Sequence, residues 1–288
     1  MDIANKWEDF EIIDASNGEK LERWGKYYLL RPDPQIIWDN GNIVNKYNYI
    51  NAHYHRNSSG GGYWENLKNI PDRWQIKYKD LTFNIKQMGF KHTGLFPEQA
   101  FNWDFMIDKI KNSNRKIKVL NLFAYTGGAT VACLYAGAEV VHVDSSKGMV
   151  SWAKENVESS NLSDRPVRYI VDDVIKFVKR EARRGHKYDA IVMDPPSYGR
   201  GANKEVWSLE KDLASLINLC MDILSDNPLF IIINSYTTGL SSTVLGNLLK
   251  VTVGKKYDGE ITTGELGLNI KNNSLVLPCG IYGRYESK

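Results

Sequence analysis

The chain has 288 residues, of which 42% are hydrophobic and 25% charged, with a formal net charge of +3. Such a composition belongs to an ordinary globular chain and excludes wholesale disorder, and the length suits one large domain with an appendage or two domains. No apolar run is long enough for a membrane-spanning helix, and the start, MDIANKWEDFEII, lacks the basic and apolar regions of a signal peptide. Cys133, Cys220 and Cys279 lie far apart with no CxxC spacing. That argues against a disulfide framework or a zinc site and suits a cytoplasmic protein. The net charge does not by itself point to nucleic acid. The densely basic stretch from Lys176 to Lys187 reads as a solvated helix face, or as a patch for phosphates.

The first 85 residues read as a small β-rich domain, 1–85, followed by a larger domain, 86–288. Glu11–Asp14, Tyr27–Leu30, Gln35–Trp38 and Trp74–Tyr78 are β-prone, and Asn17-Gly18, Asn40-Gly41 and Lys79-Asp80 offer turns. Ser58–Gly62 reads as a flexible loop tip. The many aromatic residues here, Trp24, Tyr54 and Tyr78 among them, read mostly as packing, with a minority available to stack on bases. His53 and His55, the only close histidine pair, read as loop residues, so no metal is expected.

From Lys116 onward strands and helices alternate. Lys116–Phe123, Glu139–Asp144, Val167–Val171, Tyr188–Met193 and Leu229–Asn234 read as strands. Ala129–Ala136, Lys147–Ser160, Val174–Arg184, Leu209–Leu224 and Ser241–Leu249 read as helices, and the remainder supplies the last strands. This rhythm means parallel strands joined by right-handed helical crossovers, an α/β fold. Apolar runs without alternation, such as Phe230–Ile233, fit strands covered on both faces.

Ligands in such sheets bind beyond the carboxyl ends of the strands. The first strand runs into Asn121-Leu-Phe-Ala-Tyr-Thr-Gly-Gly-Ala-Thr130, whose glycine pair allows a tight turn and close backbone approach to a ligand, without the GxGxxG of dinucleotide sites. Asp144 ends the second strand, where a carboxylate can accept from both ribose hydroxyls. Asp172 and Asp173 end the third, where either can accept from an adenine amino group. Each is also readable as a turn or a helix cap, but the ordered set favours an adenosine-containing cofactor. The fourth strand ends in Asp194-Pro-Pro-Ser-Tyr198. Two prolines fix φ and remove donors, leaving a stiff loop that presents carbonyl oxygens beside an Asp, with Tyr198 able to stack on a planar group.

The Leu122–Gly128 loop, Asp144, Asp173 and Asp194-Pro-Pro-Ser-Tyr198 resemble the successive motifs of class I S-adenosylmethionine-dependent methyltransferases. With Lys91-His-Thr-Gly-Leu-Phe-Pro-Glu-Gln99, they are similar to the bacterial 23S ribosomal RNA large-subunit methyltransferases, a group with cytosine C5 and guanine N7 enzymes. The likeness covers about residues 85–285; the N-terminal segment does not show the RNA-binding PUA pattern of some members. The resemblance implies a Rossmann-like, mostly parallel seven-stranded sheet with helices on both faces. S-adenosylmethionine would be the cofactor and ribosomal RNA the partner. It implies that Phe123, Ala124, Tyr125, Thr126, Gly127 and Gly128 cradle the methionine and ribose. Asp144 with Ser145 would hold the ribose, and Asp173 with Val174 the adenine. Phe96, Gln99 and Trp103 would cover the cofactor, and Asp194, Pro195 and Tyr198 would line the acceptor site.

Cytosine C5 methylation needs a thiolate that adds to the ring. Neither Asp194-Pro-Pro-Ser-Tyr198 nor Asn234-Ser-Tyr-Thr237 carries a cysteine, and all three cysteines read as packing residues. Direct transfer to nitrogen or oxygen is therefore expected, with Asp194 as hydrogen-bond acceptor or base. A small-molecule or protein acceptor remains open. A nicotinamide-dependent oxidoreductase is disfavoured by the missing GxGxxG and by the proline loop.

Overall fold

The computed structural model describes residues 1–58, 61–200 and 206–288. Packing divides the chain into two compact units. One comprises Met1–Asp2, Phe101–Leu266 and Gly280–Lys288; the other comprises Ile3–Ala100 and Gly267–Cys279. The smaller unit thus takes in 86–100 and a return segment from near the C-terminus, beyond the boundary read from the sequence.

The larger unit is built on parallel strands Lys118–Leu122, Glu139–Asp144, Val167–Val171, Ala190–Met193 and Phe230–Ser235. In chain order they lie across the sheet as third, second, first, fourth, fifth. Val276–Ser287 follows, antiparallel to Phe230–Ser235, and then Gly259–Asn269. The two-residue strand Asp2–Ile3 makes an eighth member at that edge, one more than the seven expected. The first strand lies between the second and the fourth, so chain order reverses there and the loops after these strands open on one crevice.

Strand residues alternate between the two faces. Leu120, Leu122, Val141, Val143, Ile191, Met193, Ile231 and Ile233 pack under Phe177, Leu213, Leu216, Ile217 and Leu245 from helices Val174–Arg183, Leu209–Met221 and Ser242–Val251. Burial of each such side chain contributes about 1.5–3 kcal/mol. Ser146, Asp173 and Ser241 cap helices by accepting from the backbone N–H of Met149, Lys176 and Thr243. No helix among the described residues is long and apolar enough to cross a membrane.

The smaller unit holds a five-stranded sheet of Phe10–Ser16, Glu19–Trp24, Tyr27–Pro32, Ala52–Arg56 and Gly62–Asn66, and a hairpin of Trp74–Tyr78 with Leu81–Ile85. Asn17-Gly18 and Lys79 turn with positive φ as the turn chemistry requires. Trp24, Tyr54 and Tyr78 are buried. Two readings are corrected. Gln35–Trp38 is a loop: the prolines at 32 and 34 stop strand pairing, and the segment lies along the Asn17-Gly18 turn through Asn17 N–H to Trp38 O and Gly18 N–H to Ile36 O. His53 and His55 lie on the Ala52–Arg56 strand, alternating with buried Ala52 and Tyr54. The Ser58–Gly62 reading falls partly on Ser59 and Gly60, outside the described residues.

Candidate cofactor and acceptor site

The loop after the first strand departs from ordinary backbone geometry. Phe123 has φ +53°, Tyr125 +50° and Gly127 +83°, the last capping helix Gly128–Tyr135. Left-handed conformations at two non-glycine residues cost of order 1–3 kcal/mol each and persist only where surroundings enforce them. Here they do. Ala124 N–H donates to Val143 O at 3.0 Å, Tyr125 N–H donates to Asp144 Oδ2 at 2.9 Å, and Asn156 Nδ2 donates to Thr126 O at 2.8 Å. Ala124, Thr126 and Gly127 are buried, whereas Phe123, Tyr125 and Gly128 are partly exposed. The glycine pair is also demanded by packing: a Cβ at Gly127 would lie 2.8 Å from the Cβ of Ala153, and one at Gly128 would lie 2.7 Å from the Trp103 ring. Trp103 is buried beneath the loop, only 2% exposed.

Behind this loop lies a polar chain that sequence reasoning missed. Asn121 Nδ2 donates to Thr130 Oγ1 at 2.9 Å, and Thr130 Oγ1 lies 2.9 Å from His142 Nδ1. Burial drives the imidazole down to about 3, so it is neutral, and one of the two atoms, Thr130 Oγ1 or His142 Nδ1, donates to the other. A histidine inside the apolar run Glu139–Asp144 was the available signal, because a buried polar group needs a partner.

Asp144 ends its strand with one oxygen on Tyr125 N–H and the other on Ser146 N–H, at 2.9 and 2.8 Å. Burial raises its carboxyl above the usual range, partly countered by those two donors. Two of about four acceptor positions are used, which leaves the carboxylate able to take ribose hydroxyls. Ser145 beside it is exposed. The third strand divides its two carboxylates. Asp172 pairs with Arg180 and accepts from Asp173 N–H at 2.8 Å. Asp173 caps its helix through Lys176 N–H at 2.8 Å, and the Val174 side chain is buried in the core. Both carboxylate oxygens of Asp172 and one of Asp173 are therefore already engaged.

The fourth strand delivers Asp194 beside the first, its N–H 3.4 Å from Leu122 O. Pro195 is buried, while Pro196, Ser197 and Tyr198 are exposed, Tyr198 to 56%. Tyr198–Arg200 pairs antiparallel with Val206–Ser208, a short ribbon with no counterpart in the sequence reading. Of the carbonyls expected to face an acceptor, Pro196 O is taken by Trp207 Nε1 at 2.6 Å. The Trp207 ring lies 5.1 Å from the Phe123 ring, joining this loop to the first. Ser197 Oγ and Thr237 Oγ1 are 2.7 Å apart, which ties the loop to the segment after the fifth strand. Asn234, buried near the end of that strand, accepts from Asn102 Nδ2 at 2.9 Å. Phe96 precedes the 3-10 turn Pro97–Gln99, which Gln99 ends and which belongs to the smaller unit.

None of the three cysteines lies within Asp194–Tyr198 or Asn234–Thr237. Cys133 and Cys220 are buried on helices Gly128–Tyr135 and Leu209–Met221, and burial pushes both thiols up, that of Cys220 to about 12. Cys279 lies in the other unit, its thiol also raised by burial.

The strand-end loops, the backbone cradle and the ribose-ready carboxylate fit an adenosine-containing sulfonium cofactor. The family model of S-adenosylmethionine-dependent methyltransferases matches residues 42–240. The chain belongs to that family. This methyltransferase is similar to a crystal structure of an S-adenosylmethionine-dependent methyltransferase from Agrobacterium tumefaciens, with a TM-score of 0.93 and 34% identity over 99% of this chain and 93% of that one. It is 33% identical over 147 residues to a ribosomal RNA large subunit methyltransferase K/L from Shewanella frigidimarina, covering 50% of this chain and 20% of that protein. The chain spans about a fifth to a quarter of the length of the first curated relatives it matches. A tRNA methyltransferase from M. jannaschii, 14% identical with a TM-score of 0.56, shares the fold. S-adenosylmethionine, when bound, supplies an electrophilic methyl group. The Phe123–Gly128 loop and Asp144 would be the residues to hold it.

Proposed function

We propose that this methyltransferase transfers a methyl group to a base in RNA, ribosomal RNA above all, directly and without a cysteine nucleophile. The observation that carries the reading is the Asp194–Tyr198 loop. It is stiff, rooted beside the cofactor loop, and ends in a 56% exposed tyrosine. A base swung out of its stack is a planar group with a polar edge. Tyr198 would hold its face while Asp194 and the Pro195 carbonyl read its edge. Asp194 would accept the proton or hydrogen bond of the reacting nitrogen, keeping its lone pair aimed at the methyl carbon, about 3 Å away. Asp173 and Val174 would flank the adenine. The names of the curated relatives support RNA as the acceptor. So does the Val174–Arg183 helix, which presents Lys176, Lys179 and Arg183 to solvent on one side while Phe177 and Val178 face the core. Such a substrate implies work in the cytoplasm.

The test is transfer of labelled methyl from S-adenosylmethionine to total RNA, protein extract and metabolite pools, with ribosomal RNA taken from a strain lacking the gene. Label entering RNA, and found on a base after digestion, supports the reading. Label entering only protein or a metabolite removes RNA as the acceptor and leaves the methyltransferase family untouched.

A further inference from the structure

The smaller unit carries a cluster that methyl transfer does not use. His53 and His55 stand two apart on the Ala52–Arg56 strand and therefore point to the same side of the sheet. Glu65 lies directly across from His53 on the paired strand Gly62–Asn66, on that same side, and Tyr63 lies across from His55. One ligating atom from each of His53, His55 and Glu65 lies within 4.8 Å of the other two. The imidazole rings are 3.9 Å apart between centroids, and Tyr63 closes one end with its ring 5.2 Å from that of His55. His55 Nε2 is 2.7 Å from Glu65, and His53 Nε2 is 2.5 Å from Glu19 at the start of the Glu19–Trp24 strand.

We propose that His53, His55 and Glu65 form a binding site for a divalent transition-metal ion of the zinc type, with Glu19 as the outer carboxylate that fixes the His53 ring. Two imidazoles and one carboxylate suit Zn²⁺, Co²⁺ or Ni²⁺ and disfavour Mg²⁺ or Ca²⁺, which take oxygen ligands. Metal–ligand bonds of about 2.0–2.1 Å place tetrahedral ligands ~3.3–3.4 Å apart, and the three ligand atoms, within 4.8 Å of one another, lie near that spacing. A carboxylate on the far nitrogen of a ligating histidine sets its tautomer and orientation, the position Glu19 occupies against His53. Three protein ligands leave one position for water. The ligands come from neighbouring strands with opposite direction, so the ion would clip the 52–66 hairpin and stabilise the smaller unit by binding only its folded form.

The experiment uses the full chain without an affinity tag, stripped by chelator, and needs no methyl transfer. Zn²⁺ is titrated by calorimetry, Co²⁺ by its visible absorption, and the melting temperature is followed with and without Zn²⁺. One saturable equivalent is expected, with tetrahedral-type Co²⁺ bands and a raised melting temperature. Binding should vanish in His53→Ala/His55→Ala and weaken about 10- to 100-fold in Glu19→Gln. Glu65→Gln alters a half-exposed side chain, so it reports on binding even if the double variant fails to fold. The proposal is overturned if the wild type binds no stoichiometric Zn²⁺ or Co²⁺, or if Glu65→Gln and His55→Ala bind as the wild type does.

Discussion

Tyr125 donates its backbone N–H to the Asp144 carboxylate across 2.9 Å, so the residue expected to read the ribose also holds the cofactor loop in its left-handed turn. Asp144→Ala should therefore act twice. It removes an acceptor for the ribose hydroxyls, which weakens S-adenosylmethionine binding by about 1–3 kcal/mol. It also frees Tyr125, which should speed amide exchange at 124–127. Calorimetry and hydrogen exchange measure the two effects separately, and unchanged affinity in a folded variant would take Asp144 out of the ribose site.

Gly127 faces two demands at once. Its φ is +83°, and an added Cβ would sit 2.8 Å from that of Ala153. Gly127→Ala should lose at least about 1–2 kcal/mol from the left-handed backbone alone, with a further loss of cofactor affinity as the loop shifts. Gly137, with φ +96° and nothing within 4 Å of its added Cβ, is the control. Gly137→Ala should show the backbone cost without the effect on cofactor binding.

Strands Glu139–Asp144 and Val167–Val171 were legible to the residue because compact runs end at clear turn signals. The strand-end positions of Asp144 and Asp172 were legible for the same reason, and an α/β rhythm says at which ends ligands are expected. Other features depend on long-range packing. Asn156, buried on helix Lys147–Ser159, looks like any polar helix residue until its bond to Thr126 O is seen. The Tyr198–Arg200 ribbon is three residues long, too short for a periodic signal. The Ala52–Arg56 strand did alternate, with Ala52 and Tyr54 inward, but its outward histidines masked the pattern.

Glu22 gives the smaller unit an acid-sensitive element. Burial alone would raise its carboxyl, but Arg31 and Lys20 beside it and hydrogen bonds from Arg31 and Trp24 outweigh that and bring it to about 2. Arg31 grips both oxygens, at 2.6 and 2.9 Å. A carboxylate whose folded value is depressed stabilises the fold above its unfolded value, 4.5 here, and that contribution fades as pH falls toward about 2. Glu22→Gln leaves Arg31 buried without its counter-charge and should cost about 3–5 kcal/mol at pH 7. Denaturant melts across pH 7 to 3 should show wild type and variant converging. A gap that stays constant with pH would mean the loss comes from packing.

All three thiols are held above their ordinary range by burial, and Cys133 Sγ packs 3.7 Å from the sulfur of Met106. A protonated, buried thiol is a poor nucleophile. A variant with all three cysteines replaced by alanine should keep methyl transfer within a few-fold, provided its circular dichroism matches the wild type. Capture of a covalent complex with RNA containing 5-fluorocytosine would instead restore the C5 chemistry.

The proposed RNA acceptor makes the most demanding prediction, because it would separate a base pocket from a phosphate track. Asp194→Asn keeps the shape of the loop but loses the charge, so it should abolish transfer while leaving cofactor affinity nearly intact. Tyr198→Ala removes an exposed ring and should raise KM for RNA; base stacking on an aromatic side chain is worth about 1–3 kcal/mol. Lys176, Lys179 and Arg183 lie on the outer face of the Val174–Arg183 helix, whose first turn follows the third strand on the ligand side of the sheet. If they meet phosphates, the affinity for RNA should fall steeply with salt, and replacing each by Gln should flatten that slope by about 0.7–0.9 of a unit. Their loss should leave binding of S-adenosylmethionine alone unchanged, since none belongs to the loop or to Asp144. Filter binding between low and moderate salt, run beside cofactor calorimetry on the same variants, gives both readouts. An unaltered salt slope in the triple variant would return the basic face to the role of solvated surface, and RNA would then have to be held by other cations.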